Sequence, residues 1–363
     1  MRPSHGGDLI WAAQVAGCSP PDLLDFSASI SPLGPPAAAI AAIQSHLGDI
    51  ARYPNPSYGT LRQTLAAHHQ VPADWIMVGN GAAELLTWAG RDLATQAATY
   101  LITPAFGDYG RSLRAFDAKI ISCPLPLTGT EIAPGDWQRC VAAPAHPDLS
   151  QCGLLLNTPH NPTGYVIPPG VITQWLTQFG LVVIDEAFMD FLPPSQQTSL
   201  IDRVADFPNL VVVRSLTKFY SLPGLRLGYG IAQPERLVRW QQWRDPWPVN
   251  VLAAAAAVAS LQDQAYQAAS WQWLGAARPQ LEAALAALPG LYPLAGQANY
   301  LLVRTDKSAM ALQRVLLQRH RILIRDCMSF AELGDRYFRI AIKTIAENGR
   351  LVNALADALT VVD

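Results

Sequence analysis

An α/β fold, with a mostly parallel sheet covered by helices on both faces and a smaller α+β domain beside it, is predicted by three observations. Between about residues 50 and 235, short apolar runs alternate with helical segments, the pattern that builds parallel sheets through crossover helices. In about the last hundred residues the character changes, and strand-like segments stand between helices. The chain of 363 residues also exceeds the size at which one core usually suffices, so two domains are expected. The expected division is residues 1–49 as an N-terminal arm and part of the small domain, 50–245 as the large domain, and 246–363 as an interdomain helix and the rest of the small domain.

In chain order, a helix is expected over Pro36 to Leu47, with Gly48 as its C-cap. Trp75 to Val78 reads as a strand running into a helix from Ala82 to about Ala89. Leu181-Val182-Val183-Ile184 is a short apolar strand that ends in Asp185, and Leu210-Val211-Val212-Val213 is a buried strand delivering the loop at Ser215. Leu225 to Ile231 reads as the next strand. Helical segments rich in Ala, Leu and Trp follow between Pro234 and Leu288, with Pro246, Pro248 and Pro279 as breakers. Asn299 to Arg304, Ile322 to Arg325 and Tyr337 to Lys343 then read as strands.

Composition narrows the class. With 26 basic and 28 acidic residues the net charge is −2, which gives no bulk attraction to nucleic acid or an anionic membrane. The five cysteines form no Cys-x-x-Cys pair, and their odd number speaks against a disulfide framework, so the cytoplasm is the expected compartment. No metal is expected, because the seven histidines lack ligand spacing and the adjacent His68 and His69 point in different directions on a helix. The uncharged run Val251 to Leu261 is too short to span a bilayer, and Leu9 to Cys18 lacks the form of a secretory signal.

Three segments carry the chemistry. Ser215-Leu216-Thr217-Lys218, followed by Arg226 in Pro223-Gly224-Leu225-Arg226-Leu227-Gly228-Tyr229, gathers an amine, hydroxyls and a guanidinium around one small anionic site. Pyridoxal phosphate needs that set: the lysine reacts with its aldehyde while Ser215, Thr217 and Arg226 hold its phosphate. Asp185, at a strand end, can keep the pyridine nitrogen protonated so that the ring draws in electrons. Asn161, in Thr158-Pro159-His160-Asn161-Pro162-Thr163-Gly164, can donate to the ring 3′ oxygen, although turn chemistry alone also explains Asn-Pro and Thr-Gly.

The order Asn-Pro-x-Gly, Asp-x-Ala-Phe, Ser-x-x-Lys, Arg-x-Gly resembles the fold-type I pyridoxal phosphate enzymes of the aspartate aminotransferase superfamily, over nearly the whole chain. The resemblance implies that Lys218 carries the cofactor, Asp185 pairs with the pyridinium nitrogen and Asn161 with the 3′ oxygen. It also implies that Gly81 and Ala82 offer backbone N–H groups to the phosphate at a helix N-terminus. Phe106 falls where the family stacks an aromatic ring on the cofactor, with Tyr109 as the rival. Tyr58 matches the tyrosine that reaches the phosphate of a neighbouring subunit, which implies a homodimer with a shared site. Phe188 departs from the tyrosine common in these enzymes, leaving one donor fewer on the ring.

Toward the ends of the chain, His5-Gly6-Gly7-Asp8, Asp25 to Gly34 and Pro246 to Asn250 resemble the threonine-phosphate decarboxylases of cobalamin biosynthesis. Asp8 replaces an asparagine, so its side-chain role is open. By this resemblance Arg339 binds the substrate α-carboxylate, and Arg325 binds the substrate phosphate with His5 and Gly6. Guanidinium groups suit both anions. Histidinol-phosphate aminotransferases share the fold, a phosphate-bearing substrate and nearly every cofactor residue, and the residues alone leave decarboxylation and transamination both open. A non-catalytic module is disfavoured by the presence of Lys218 and the lack of a basic DNA-binding segment.

Overall fold

The computed structural model describes residues 6–127, 132–141, 146–330 and 332–362. Among these, the strands in chain order are β1 (Leu24–Asp25), β2 (Ile76–Asn80), β3 (Thr99–Thr103), β4 (Ile120–Pro124), β5 (Gly153–Asn157), β6 (Leu181–Asp185), β7 (Leu210–Ser215), β8 (Leu227–Ile231), β9 (Leu291–Pro293), β10 (Tyr300–Thr305), β11 (Ile322–Leu323), β12 (Arg325–Asp326) and β13 (Tyr337–Ala341). Seven of them form one sheet in the order β2-β8-β7-β6-β5-β3-β4. From β7 to β4 every pairing is parallel, and β8 runs antiparallel to both of its neighbours. The mostly parallel sheet is therefore present, with one reversed strand.

The sequences of β5, β6 and β7 explain their place at the centre. Each is an apolar run buried along its whole length, as strands covered on both faces must be. Register then does the positioning: Asn157 pairs with Asp185, and Asp185 with Val213, two residues before Ser215. Three strand ends thus open at one edge, the carboxyl edge where open α/β sheets bind ligands.

The smaller sheets bring distant segments to that edge. β12-β13-β10-β9 forms an antiparallel sheet, and β1 pairs with β11 in parallel. The single strand expected over Ile322 to Arg325 is consequently two: Ile322–Leu323 pairs with the N-terminal segment, and Arg325–Asp326 with β13. The strand expected from Leu225 begins at Leu227, because Pro223–Leu225 form a 3-10 turn and Arg226 is left-handed at φ 58°.

Two expected helix boundaries differ. Pro279 does not break its helix, which runs unbroken from Gln264 to Ala286. The buried residues Leu274, Ala277, Leu281 and Leu285 hold the helix on both sides of the proline. Gly48 is not a C-cap either: the helix Ala37–Ser45 ends at His46, whose N–H already bonds to Ala42 and Ile43, and a 3-10 turn over Leu47–Ala51 follows. Among the described residues no helix is long and apolar enough to cross a membrane.

Arg214, one residue before Ser215, anchors the end of β7. Its Nε donates to Glu186 Oε2 at 2.9 Å and its Nη1 to Asp190, with the arginine 1% exposed and the glutamate 0%. Burial raises the Glu186 pKa against the opposing pull of the Arg214 charge. Removing one partner of such a pair leaves a bare buried charge. Arg214→Ala is expected to destabilise the fold by about 3–5 kcal/mol in urea titrations; a loss under about 1 kcal/mol would contradict this account.

Candidate active site

A cavity of about 270 Å³ lies where the carboxyl ends of β5 and β6 meet β12 and β13, and both Lys218 and Asp185 line it. Lys218 follows the end of β7 by three residues, and its Nζ stands 3.4 Å from Ser215 Oγ and 5.1 Å from the centre of the Phe188 ring. Burial lowers the lysine pKa, the Asp185 charge raises it, and the Arg226 and Arg339 charges lower it further. Asp185 is pushed the other way: burial raises its pKa, against the Lys218 charge and hydrogen bonds from Tyr109 and the Ala187 amide. These bonds measure 2.8 Å from Tyr109 Oη to Oδ2 and 2.9 Å from Ala187 N to Oδ1.

Both aromatic residues line the cavity, and the Tyr109 hydroxyl is committed to Asp185. Their rings meet edge to face at 5.5 Å. The Tyr109–Asp185 bond was not legible in the sequence, although the three-residue spacing from Phe106 into a helix over Gly107–Arg114 is a signal that both rings turn the same way.

An anion cradle adjoins Lys218. Ser215 Oγ and Thr217 Oγ1 are 2.8 Å apart, and a Cβ added to Gly81 would lie 2.5 Å from Arg226 Nη2, so the guanidinium abuts the start of the helix Ala82–Leu93. Glycine suits the position because φ is +76°. The helix has no side-chain N-cap, which leaves its first amides, beginning with Ala82, without intrahelical acceptors. Gly81 departs from expectation: its own N–H donates to Gly79 O at 2.8 Å, so it shapes the turn rather than offering a donor.

Arg325 and Arg339 face each other in register on β12 and β13, and both line the cavity. Arg339 Nη1 donates to Asn161 Oδ1 at 2.5 Å and Nη2 to Ser27 O at 3.3 Å, while its Nε is buried without a protein partner among the described residues. The guanidinium lies 4.9 Å over the Tyr300 ring. Since Asn161 spends its carbonyl on Arg339, its amide nitrogen is the donor left for a ring oxygen. Arg325 Nη2 donates to Ser329 Oγ at 2.6 Å.

The N-terminal arm reaches the same cavity through Ser27. Its Oγ accepts from Gly7 N at 2.7 Å and donates to Asp25 Oδ1 at 2.6 Å, and Gly6 packs so closely on its carbonyl that a Cβ there would collide. Gly6 lines the cavity; His5 lies outside the described residues. Asp8 acts as a helix cap, accepting from Trp11 N at 2.9 Å. Ser27 carries no motif signal of its own, because its role arises from two segments far apart in sequence.

Tyr58, expected to reach a neighbouring subunit rather than this chain's own cavity, has a buried ring, and its hydroxyl donates to Val249 O at 3.0 Å and accepts from Val249 N at 3.1 Å. Among the described residues no group of His, Cys, Asp or Glu is arranged to hold a metal ion.

The aminotransferase class I and II family matches residues 21–355. The chain belongs to that family. A threonine-phosphate decarboxylase of Salmonella typhimurium is 42% identical over 365 residues, spanning 98% of this chain and 97% of that protein. The crystal structure of L-threonine-O-3-phosphate decarboxylase from Porphyromonas gingivalis superposes with a TM-score of 0.81 at 25% identity, covering 92% of this chain and 99% of that one. Histidinol-phosphate aminotransferase from Sinorhizobium meliloti, solved in complex with pyridoxal-5′-phosphate, shares the fold with a TM-score of 0.85 at 23% identity, covering 98% and 95% of the two chains.

The Tyr109 bond favours the ionised form of Asp185, and its loss leaves burial less opposed. Tyr109→Phe therefore raises the Asp185 pKa further. If activity needs the carboxylate, it is present above that pKa and falls as pH drops through it, so the acid limb of the pH–rate profile should move to higher pH. An acid limb unchanged in the variant would count against the coupling.

Proposed function

We propose that this protein decarboxylates L-threonine O-3-phosphate to (R)-1-amino-2-propanol O-phosphate and carbon dioxide in cobalamin biosynthesis, with pyridoxal phosphate as cofactor. The observation that carries the reading is the pairing of Arg325 and Arg339 on adjacent strands, both lining the cavity that holds Lys218 and Asp185. Two guanidinium groups suit a substrate with two anions. The relative at 42% identity, named for this substrate, supports the same choice.

The residues present fit the cofactor. A buried amine beside a buried carboxylate, an uncapped helix start and an arginine against Gly81 answer to its aldehyde, its ring nitrogen and its phosphate in turn. Lys218 Nζ would hold the aldehyde carbon; Ser215, Thr217, Arg226 and the Ala82 amide would hold the phosphate; Phe106 would cover a ring face. When bound, the cofactor withdraws electrons from the substrate α-carbon. Asp185 would keep a proton on the pyridine nitrogen, and Asn161 would donate its amide to the 3′ oxygen. Phe188, with no hydroxyl, gives the ring no second donor there.

Arg339 decides the reaction by orientation. Held by Asn161 and Ser27, its guanidinium fixes the α-carboxylate, and Arg325 with Gly6 and His5 fixes the far phosphate. Two anchors would fix how the substrate lies and present the bond to its carboxylate as the one to break.

The functional unit we read as a homodimer with a shared site. Tyr53 is 79% exposed and packs on Trp247 at 4.5 Å between ring centres, close to exposed Leu47 and Ile50 and to a groove of about 510 Å³ lined by Ala254 and Val258. With the Tyr58 hydroxyl committed to Val249, Tyr53 is the tyrosine this face presents to a second copy.

Product analysis tests the reaction. Carbon dioxide should be released from threonine phosphate without added keto acid; turnover that requires a keto acid, with no carbon dioxide, would make the protein a histidinol-phosphate-type aminotransferase instead. The arginines separate the two anions. Arg325→Ala should weaken threonine phosphate about 10–100-fold in KM while leaving unphosphorylated threonine within a few-fold, since it removes a charge-assisted contact only the phosphate makes. Arg339→Ala should impair both substrates and lower kcat. Equal losses for both substrates in both variants would remove the phosphate role from Arg325.

A further inference from the structure

Arg244 lies outside the cavity, in the segment after the helix Pro234–Gln241, yet its side chain is only 2% exposed. Its Nη1 donates to Val78 O at 2.7 Å, and its Nε stands 3.1 Å from Glu84 Oε1. Val78 belongs to β2, an edge strand that pairs only with β8, so the arginine occupies a carbonyl that the sheet itself leaves open. Glu84 is the third residue of the helix Ala82–Leu93. Its Oε2 accepts from Asn80 N at 2.6 Å and its Oε1 from Trp88 Nε1 at 3.0 Å.

These contacts surround a single turn. Asn80 ends β2, Gly81 turns with positive φ, and Ala82 begins the helix whose first amides and neighbouring Arg226 form the anion cradle. Arg244 holds the strand before the turn by one hydrogen bond and stands as a charge beside Glu84 on the helix after it, its Nε and Nη2 making no hydrogen bond among the described residues. Its charge matters as well. Glu84 puts a carboxylate into the same helical turn that is to receive an anion, where it would repel a phosphate, and the buried cation beside it cancels that repulsion with little screening by salt.

We propose that Arg244 is a positioning residue for the cofactor phosphate: it fixes the Asn80–Gly81 turn and neutralises Glu84, so that the first-turn amides and Arg226 receive a dianion. The inference deepens the cofactor reading given above and rests on it. No other described contact of Arg244 reaches the cavity, so its influence on a ligand runs through this turn.

Titrating the apoprotein with pyridoxal phosphate and, separately, with pyridoxal, which lacks the phosphate, tests the proposal through dissociation constants read by absorbance. Arg244→Gln should weaken pyridoxal phosphate at least tenfold and pyridoxal by less than about twofold, with Arg244→Lys between wild type and the glutamine variant because it keeps the charge but only part of the grip. A loss shared equally by both compounds would reduce Arg244 to a merely structural role and overturn the proposal, as would unchanged binding of both. Should Arg244→Gln fail to fold, Arg244→Lys supplies the same comparison: a phosphate-selective loss supports the proposal and an equal loss or none refutes it. Failure of the cofactor reading would look different, because the wild-type protein would then bind pyridoxal phosphate no more tightly than pyridoxal.

Discussion

For an amine and a carboxylate buried in one cavity, Lys218 with Asp185, each charge offsets part of what the other loses on leaving water. The surrounding structure serves that balance. Three central strands end at the same edge, β7 running two residues past its partner, so that Asp185 and the Ser215–Lys218 loop arrive from neighbouring positions of one sheet. The Ala187 amide and the Tyr109 hydroxyl fix both carboxylate oxygens, and the buried Arg214–Glu186 pair secures the strand behind the lysine. A flexible loop could not keep two such groups apart and in place.

Positive charge gathers in and beside the cavity, and the fold separates it by origin. Arg226 comes from the large sheet and stands at a helix start; Arg325 and Arg339 come from the small antiparallel sheet on the other side. Arg339 is the costlier to bury. Its Nε finds no acceptor among the described residues, and burial lowers its pKa against the pull of the Asp25 charge, while the Asn161 and Ser27 contacts hold the guanidinium in place. A buried cation short of partners is poised to receive an anion.

Close backbone approach is the other recurring device. Gly6 presses on the Ser27 carbonyl, Gly81 on the Arg226 guanidinium, and Gly228 on the Ala82 amide. Each contact brings a backbone or a cation nearer to the ligand space than any side chain would allow. Through Ser27, the same contact that seats the N-terminal arm also orients Arg339, so the arm and the carboxylate-binding side of the cavity are mechanically joined.

Much of this was legible in the sequence, for a local reason. The apolar runs of β6 and β7, the turn at Gly81 and the Ser215–Lys218 segment each declare themselves within a few residues, through hydrophobic burial, backbone conformation and the chemistry of adjacent side chains. They indicated an α/β fold and made Lys218, Asp185 and Arg226 candidates for one site; Lys218 and Asp185 line one cavity, and the Arg226 charge is near enough to lower the lysine pKa. Tertiary structure decided what depends on atoms distant in the chain: that Tyr109 bonds Asp185, that Tyr58 turns inward to Val249, that Gly81 keeps its own N–H, and that Pro279 leaves its helix intact. The physical reason is common to all four. A hydroxyl, an amide or a proline ring is compatible with several local arrangements, and only the packing of segments far apart in sequence selects among them by deciding which partner is within reach and which polar group would otherwise be buried alone.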